Sequence, residues 1–167
     1  MAKFIKKKTK LLSKNEVTSI LRLKKFFWRY SLKSHKDWFG KNIKKNDIHF
    51  FYKKRDVIKM YCCLRFRHCK VGDIKMPFYY LDTLCSVKSY RYRILNFLIF
   101  IIENTHSRIT ITLCENVHLK LYSLIGFKKK NFSISNHDVR NLNTLINIPR
   151  TNKYKRFIEG RRIQLKI

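Results

Sequence analysis

The stretch "YYLDTLCSVKSYRYRILNFLIFIIENTHSRITITLC", Tyr79 to Cys114, constrains the fold more than any other part of the chain. It reads as a strand, a basic join, an apolar helix over 94–104 and a second alternating strand. A strand, helix and strand in succession make a parallel crossover, which is right-handed almost without exception. The N-terminus of the helix then lies beside the end of the 78–87 strand. No glycine stands in the join, although two arginines and two tyrosines do.

The flanking segments extend this unit in both directions. "NEVTSILRLKKFFWRYSLKSHKDWF" places Val17, Ile20, Leu21, Phe27 and Trp28 at mostly helical spacing, with Asn15 as the expected cap. A second short helix is expected over 33–39, stopping at Gly40. "DIHFFYKK" and "VIKMYCCLRFRH" read as strands joined by a hairpin-sized turn at "KRD". Alternation in the second sets Ile58, Met60, Cys62 and Leu64 on one face, and Lys59, Tyr61, Cys63 and Arg65 on the other. The apolar stripe of the 94–104 helix reads as Leu95, Leu98, Ile99 and Ile102. After "RITITLC", Val117, Leu121 and Leu124 mark a further helix that Gly126 would end. "KKKNFSIS" and "NTLINI" are weaker strand candidates.

The fold class expected from this order is α/β (α+β): a single mixed, mostly antiparallel sheet with a central parallel crossover, flanked by helices. With 167 residues and only four glycines and two prolines, one domain of long elements is the economical organisation. It divides into a basic N-terminal arm over 1–14, a domain over 15–150, and a basic tail or last strand over 151–167.

Charge narrows the partners. The chain carries 39 Lys plus Arg against 10 Asp plus Glu, a net charge of +29, so it attracts polyanions. Much of this charge also reads as solvated surface of the kind an AT-rich genome, viral or endosymbiotic, would encode. With 45% hydrophobic residues the chain is not a disordered polycation. Five cysteines, without an apolar leader behind the basic N-terminus, point to free thiols in a reducing compartment, cytoplasmic or nuclear. The run "FLIFII" is far shorter than a membrane span. Cys62, Cys63 and Cys69 with His68 do not have zinc spacing, and no metal is expected.

A helix N-terminus preceded by Lys88, Arg91 and Arg93 is an anion site in the making, against the plainer reading of a solvated basic turn. From Asp47 to Phe132 the chain resembles the GNAT superfamily of acyl-CoA-dependent N-acyltransferases. "YYLDTLCSVKSYRYRILNFLIFII" is similar to that family's fourth strand, acyl-CoA pyrophosphate loop and following helix. "ITITLCENVHLKLYSLIGF" looks like its fifth strand and a helix ending in Leu121-Tyr122, then Gly126-Phe127. The chain departs from the pattern where the loop glycines belong: aligning Tyr90-Arg91 with the common Tyr-Arg pair puts Ile94 and Asn96 there. An isoleucine at positive φ would be strained, so the loop must take another path or bind more weakly. "LCSVKSYRYRIL" also looks like the corresponding loop of N-myristoyltransferases, which lack those glycines too.

What the resemblance implies is an acyl-CoA co-substrate, acetyl-CoA or another, and an amine acceptor. Backbone groups of Leu84, Cys85, Ser86 and Val87 would hold the pantetheine arm and thioester carbonyl. Lys88, Arg91, Tyr92, Arg93, Ile94, Leu95 and Asn96 would hold the diphosphate. Tyr122 matches the tyrosine that protonates the departing thiolate, against an ordinary amphipathic-helix tyrosine. Asp82 matches an acidic residue serving as base or water holder, against a salt bridge to one of the many cations. Asn116 stands one position late for the family's cofactor-binding asparagine. A covalent acyl-Cys85 lacks a histidine placed by any motif.

Two readings follow. One is an N-acyltransferase whose acceptors are acidic proteins or nucleic-acid-associated molecules. The other is a catalytically degenerate member of the same fold, binding nucleic acid or serving as a structural component. In that second reading the basic arm and tail contact phosphates and Phe26, Phe27, Trp28 and Tyr30 stack on bases, unless those rings are core.

Overall fold

The computed structural model describes residues 2–71, 73–105, 108–130, 132–135, 142–149, 158 and 163–166. Their strands join in a mixed sheet of hydrogen-bonded order β1-β2-β3-β4-β5-β8-β6, where β1 is Ala2–Lys8, β2 Ile48–Lys54, β3 Val57–Val71, β4 Ile74–Ser86, β5 Thr110–Cys114, β6 Lys128–Lys129 and β8 Asn143–Asn147. Strand β7, Phe132–Ser135, pairs with β9, Ile163–Lys166, which also pairs with β3. The helices are α1 Lys14–Phe27, α2 Leu32–Asn42, α3 Ile94–Glu103 and α4 Leu119–Ser123. As expected, β4 and β5 are parallel with α3 between them in sequence, and most other pairings are antiparallel. No helix among the described residues is long and apolar enough to cross a membrane. Most of the 151–167 tail lies outside the described residues.

The chain divides into two compact units, Met1–Arg65 with Asp82–Phe100, and Phe66–Leu81 with Ile101–Ile167. In the first unit the lysine-rich start is not an arm: residues 2–8 pair along their whole length with β2, from Ala2↔Lys54 to Lys8↔Ile48. Lys7 and Lys53 are drawn inward by Glu16, whose carboxylate they meet at 2.8 and 3.0 Å. Burial works against ionising Glu16, but Lys7, the Ser13 N–H and Lys53 outweigh it and hold its carboxyl at about 2. The same Glu16 closes a capping box with Ser13, so α1 begins at Lys14 and the cap is Ser13 rather than Asn15. Helix α2 likewise starts from a Ser31 cap and runs through Gly40 to Asn42.

Arg55 and Asp56, at φ +47 and +58, make the tight turn between β2 and β3. A register shift between Tyr52 and Lys53 skips Lys59, since Tyr52 faces Met60 while Lys53 faces Ile58. The bulge turns Ile58 to the face of Tyr61 and Cys63, opposite to simple alternation. That face packs Ile20, Leu21 and Leu23 of α1 and Phe39 of α2. On the other face Phe4 meets the rings of Tyr52, Phe97 and Phe100, and Phe50 meets Phe100 edge-on. Helices cover both faces, which is why β2 and β3 are buried over consecutive residues rather than alternately. Helix α3 buries Phe97, Leu98 and Ile101, whereas Ile99 of the expected stripe is 40% exposed.

The second unit has its own core of Cys69, Met76, Phe78, Ile109, Ile111, Ile146 and Ile158. Helix α4 presents Tyr122 inward, so the expected stripe is reversed: Val117 and Leu124 are exposed. Gly126, at φ +87, ends the helix with Phe127 N–H donating to the Tyr122 carbonyl at 3.1 Å.

Candidate active site

The join before α3 solves the missing-glycine problem by staying helical. Lys88–Arg93 winds as a 3-10 turn, and Ile94, at φ −64 and ψ −35, passes straight into α3. Positive φ in this stretch falls instead at Thr83, φ +58, inside β4. No residue from Leu84 to Asn96 is strained for want of glycine, and the winding begins at Val87 rather than at the start of α3.

Each expected ligand residue has a definite place here. Cys85 and Ser86 are buried, Ser86 Oγ donating to the Val87 carbonyl at 3.2 Å. Val87 N–H donates to Lys59 O at 3.0 Å, so the bulge that turns Ile58 also anchors the start of the turn. Leu84 and Leu95 are half-buried, while Lys88, Arg91 and Asn96 are exposed. Arg93 Nε donates to Tyr92 Oη at 3.0 Å and its guanidinium lies 5.7 Å from the Tyr52 ring. Tyr90 lies between Tyr52, tilted at 49° to it, and Tyr92, near-parallel at 6.5 Å, with Lys54 and Lys59 near its ring. The turn is thus a shelf of tyrosines edged with cations.

Asp82 stands beside the Thr83 kink, its Oδ2 accepting from Arg65 Nη1 at 3.1 Å and its Oδ1 from Thr83 Oγ1 at 3.0 Å. The Cys85 side chain packs in the α1–α2 core, and burial pushes its thiol up to about 12, so it is held as a thiol. That removes the acyl-cysteine idea. Among the described residues no group of His, Cys, Asp and Glu is arranged to hold a metal.

The residues from Asp82 to Asn96 lie in the first unit; Asn116 and Tyr122 lie in the second. Tyr122 is 4% exposed and meets Phe127 edge-on at 5.4 Å. Asn116 opens a short 3-10 turn, and its Oδ1 accepts from Asn143 Nδ2 at 2.7 Å. Parallel pairing of β4 with β5 runs from Tyr79↔Thr110 to Leu81↔Thr112, and Thr112 Oγ1 donates to Leu81 O at 3.0 Å.

One feature of the first unit escapes sequence reasoning: a cleft of about 480 Å³ walled by Trp28, Tyr30 and Trp38, with Lys24, Asp82 and Thr83 in its lining. Phe26 and Tyr30 are exposed rather than core, and Trp28 is 38% exposed. Phe26 and Phe27 end α1 and Trp28 caps it, so an aromatic run at a helix end was the one signal in the sequence.

No protein-family model and no curated protein sequence matches the chain. Solved structures do. An acyl-CoA N-acyltransferase from Pseudomonas aeruginosa is similar with a TM-score of 0.64 and 12% identity, over 87% of this chain and 99% of that one. Escherichia coli ElaA is similar with a TM-score of 0.63 and 12% identity, over 88% and 99% of the two chains. The Bacillus subtilis N-acetyltransferase YlbP, solved in complex with coenzyme A, gives 0.59 and 16%, over 89% and 97%. The chain has the GNAT fold.

Proposed function

We propose that this GNAT-fold chain is an N-acyltransferase that moves an acyl group, acetyl in the simplest case, from acyl-CoA to an amine. The observation that carries the reading is the join: a glycine-free turn with no strained residue, presenting Lys88 and Arg91 to solvent beside a helix start. Such a turn suits a diphosphate, because Lys88 and Arg91 bring charge to it without the close backbone approach that glycine permits. The shelf of Tyr52, Tyr90 and Tyr92 beside it offers ring faces to a base. YlbP, of the same fold, carries coenzyme A.

In this reading a neutral amine attacks the thioester carbonyl, the C–N bond forms, and the C–S bond breaks with its electron pair leaving on sulfur. Backbone N–H of Cys85 or Ser86 faces the carbonyl oxygen as it gains charge. Tyr122 gives its proton to the departing thiolate, and the amine's proton leaves toward the Asp82 carboxylate or water. Asp82 works as one member of a pair with Arg65, so it orients groups as much as it takes protons.

Calorimetry with acetyl-CoA at two salt concentrations tests the reading. Wild type should show one-site binding that survives moderate salt, weakened by roughly tenfold or more in Arg91→Ala/Arg93→Ala, a loss of about 1.4 kcal/mol or more. Tyr122→Phe should lower kcat while leaving acetyl-CoA affinity in place. Weak binding that any polyanion displaces would favour the degenerate, nucleic-acid-binding reading instead.

A further inference from the structure

Lys24 is the least expected group in the first unit. It is 6% exposed, lines the 480 Å³ cleft, and its Nζ sits 3.6 Å from the centroid of Trp38 and 5.9 Å from that of Trp28. Those ring faces are its direct partners; among the described residues no carboxylate or carbonyl bonds its ammonium. Its stem is buried but its Nζ is not sealed from solvent, so the ammonium opens on the cleft, where an entering anion can replace water on its N–H donors. Burial accordingly lowers its pKa, with Asp82 pulling the other way.

Asp82 does not neutralise it. The Asp82 carboxylate is already bound to Arg65 at 3.1 Å, so Lys24, Arg65 and Asp82 together leave one positive charge at the cleft. The walls are planar and apolar: Trp28, Trp38 and Tyr30. The volume suits a small molecule or the end of a peptide. Thr83, in its lining, is the residue before the segment proposed to hold the thioester, and consecutive Cα atoms are about 3.8 Å apart.

We propose that this cleft receives the acceptor, and that the acceptor carries a carboxylate beside its amine, the carboxylate pairing with Lys24 and an apolar or planar body lying against Trp28 and Trp38. Calling the ligand an acceptor rests on the acyltransferase reading; the cleft's fit to a carboxylate does not. Asp82 keeps lone pairs on Oδ1, beyond its bond to Thr83, for the ammonium of the same molecule.

The chain's two tryptophans are Trp28 and Trp38, both in the cleft, so tryptophan fluorescence reports this site alone. Three probes are titrated without acyl-CoA: L-phenylalanine, with amine and carboxylate; 3-phenylpropionate, with carboxylate only; and phenethylamine, with amine only. The two carboxylates should give saturable changes, with phenethylamine at least tenfold weaker. Lys24→Met should weaken both carboxylates at least tenfold. Phenethylamine binding as well as the carboxylates, or no saturable response to any probe, overturns the proposal on the wild type alone. Undiminished carboxylate binding by folded Lys24→Met overturns it as well. Carboxylate binding alongside failed acetyl-CoA calorimetry would keep the anion cleft and sink the acyltransferase reading; the reverse pair would do the opposite.

Discussion

His49 is fully buried with both ring nitrogens engaged, at 2.8 Å to Thr9 Oγ1 and 2.8 Å to Tyr61 Oη. Thr9 spends its single hydroxyl hydrogen on Lys44 O at 2.7 Å, so the ring's Nε2–H donates to Thr9 and Nδ1 accepts from Tyr61. Burial brings the His49 pKa down from 6.5 to about 4, aided by Lys24 and opposed by Asp47. Because the folded value is the lower one, the unfolded chain binds the extra proton first, and stability falls as pH drops from 6.5 toward 4. Between pH 7.5 and 5 the loss should be about 2 kcal/mol, and urea midpoints should show it. His49→Gln should flatten that slope; an unchanged slope would mean another group carries it. Glu16 acts lower, its contribution fading only as pH falls from 4.5 toward 2. The sequence shows His49 as one aromatic-flanked histidine in a strand, and gives no hint of Thr9 as its partner.

At the scale of elements, two glycines make opposite predictions. Gly126 holds φ +87, and a Cβ there would stand 3.0 Å from Asn147 Nδ2, which already bonds Ile125 O at 2.9 Å. Gly126→Ala should cost about 1–2 kcal/mol. Gly40 lies inside α2, and a Cβ there would meet nothing within 4 Å. Gly40→Ala should stabilise by about 0.5–1 kcal/mol, mostly by restricting the unfolded chain. Thermal melts of the two variants should shift in opposite directions. Gly126 was legible as a stop, because a periodic run preceded it. Gly40 misled, because α2 is capped at Ser31 and held by Phe39 against the sheet, and that packing carries the helix through the glycine. The shifted stripe of α3 and the reversed one of α4 share a cause: both are apolar on more than one side, so periodicity alone does not choose the buried face.

For the whole molecule the governing quantity is the net charge of +29. Glu16, which gathers Lys7 and Lys53, and Asp82, which holds Arg65, offset only a few of the cations. Self-repulsion therefore opposes folding, and added salt should raise Tm before any specific ion effect enters. A scan in sodium chloride from low ionic strength to beyond physiological should show this rise; a flat or falling Tm would mean the cations are already compensated. The same charge favours acids over free polyamines as ligands, in keeping with the carboxylate expected at Lys24.

The sequence by itself determined the order of elements, the parallel β4–α3–β5 crossover, the absence of glycine from its join and the resulting demand for another backbone path. Those are local matters: alternation, periodicity and allowed φ, set within a few residues. Tertiary structure decided what local pattern leaves open. It made a strand of the basic start by pairing it with β2, turned Ile58 over through a bulge at Lys59, and joined Asp82 to Arg65 across two strands. It also gathered Lys24, Trp28, Trp38 and Asp82 at one cleft. Such placements depend on residues distant in sequence being held together by a shared core, and no spacing rule reaches across that distance.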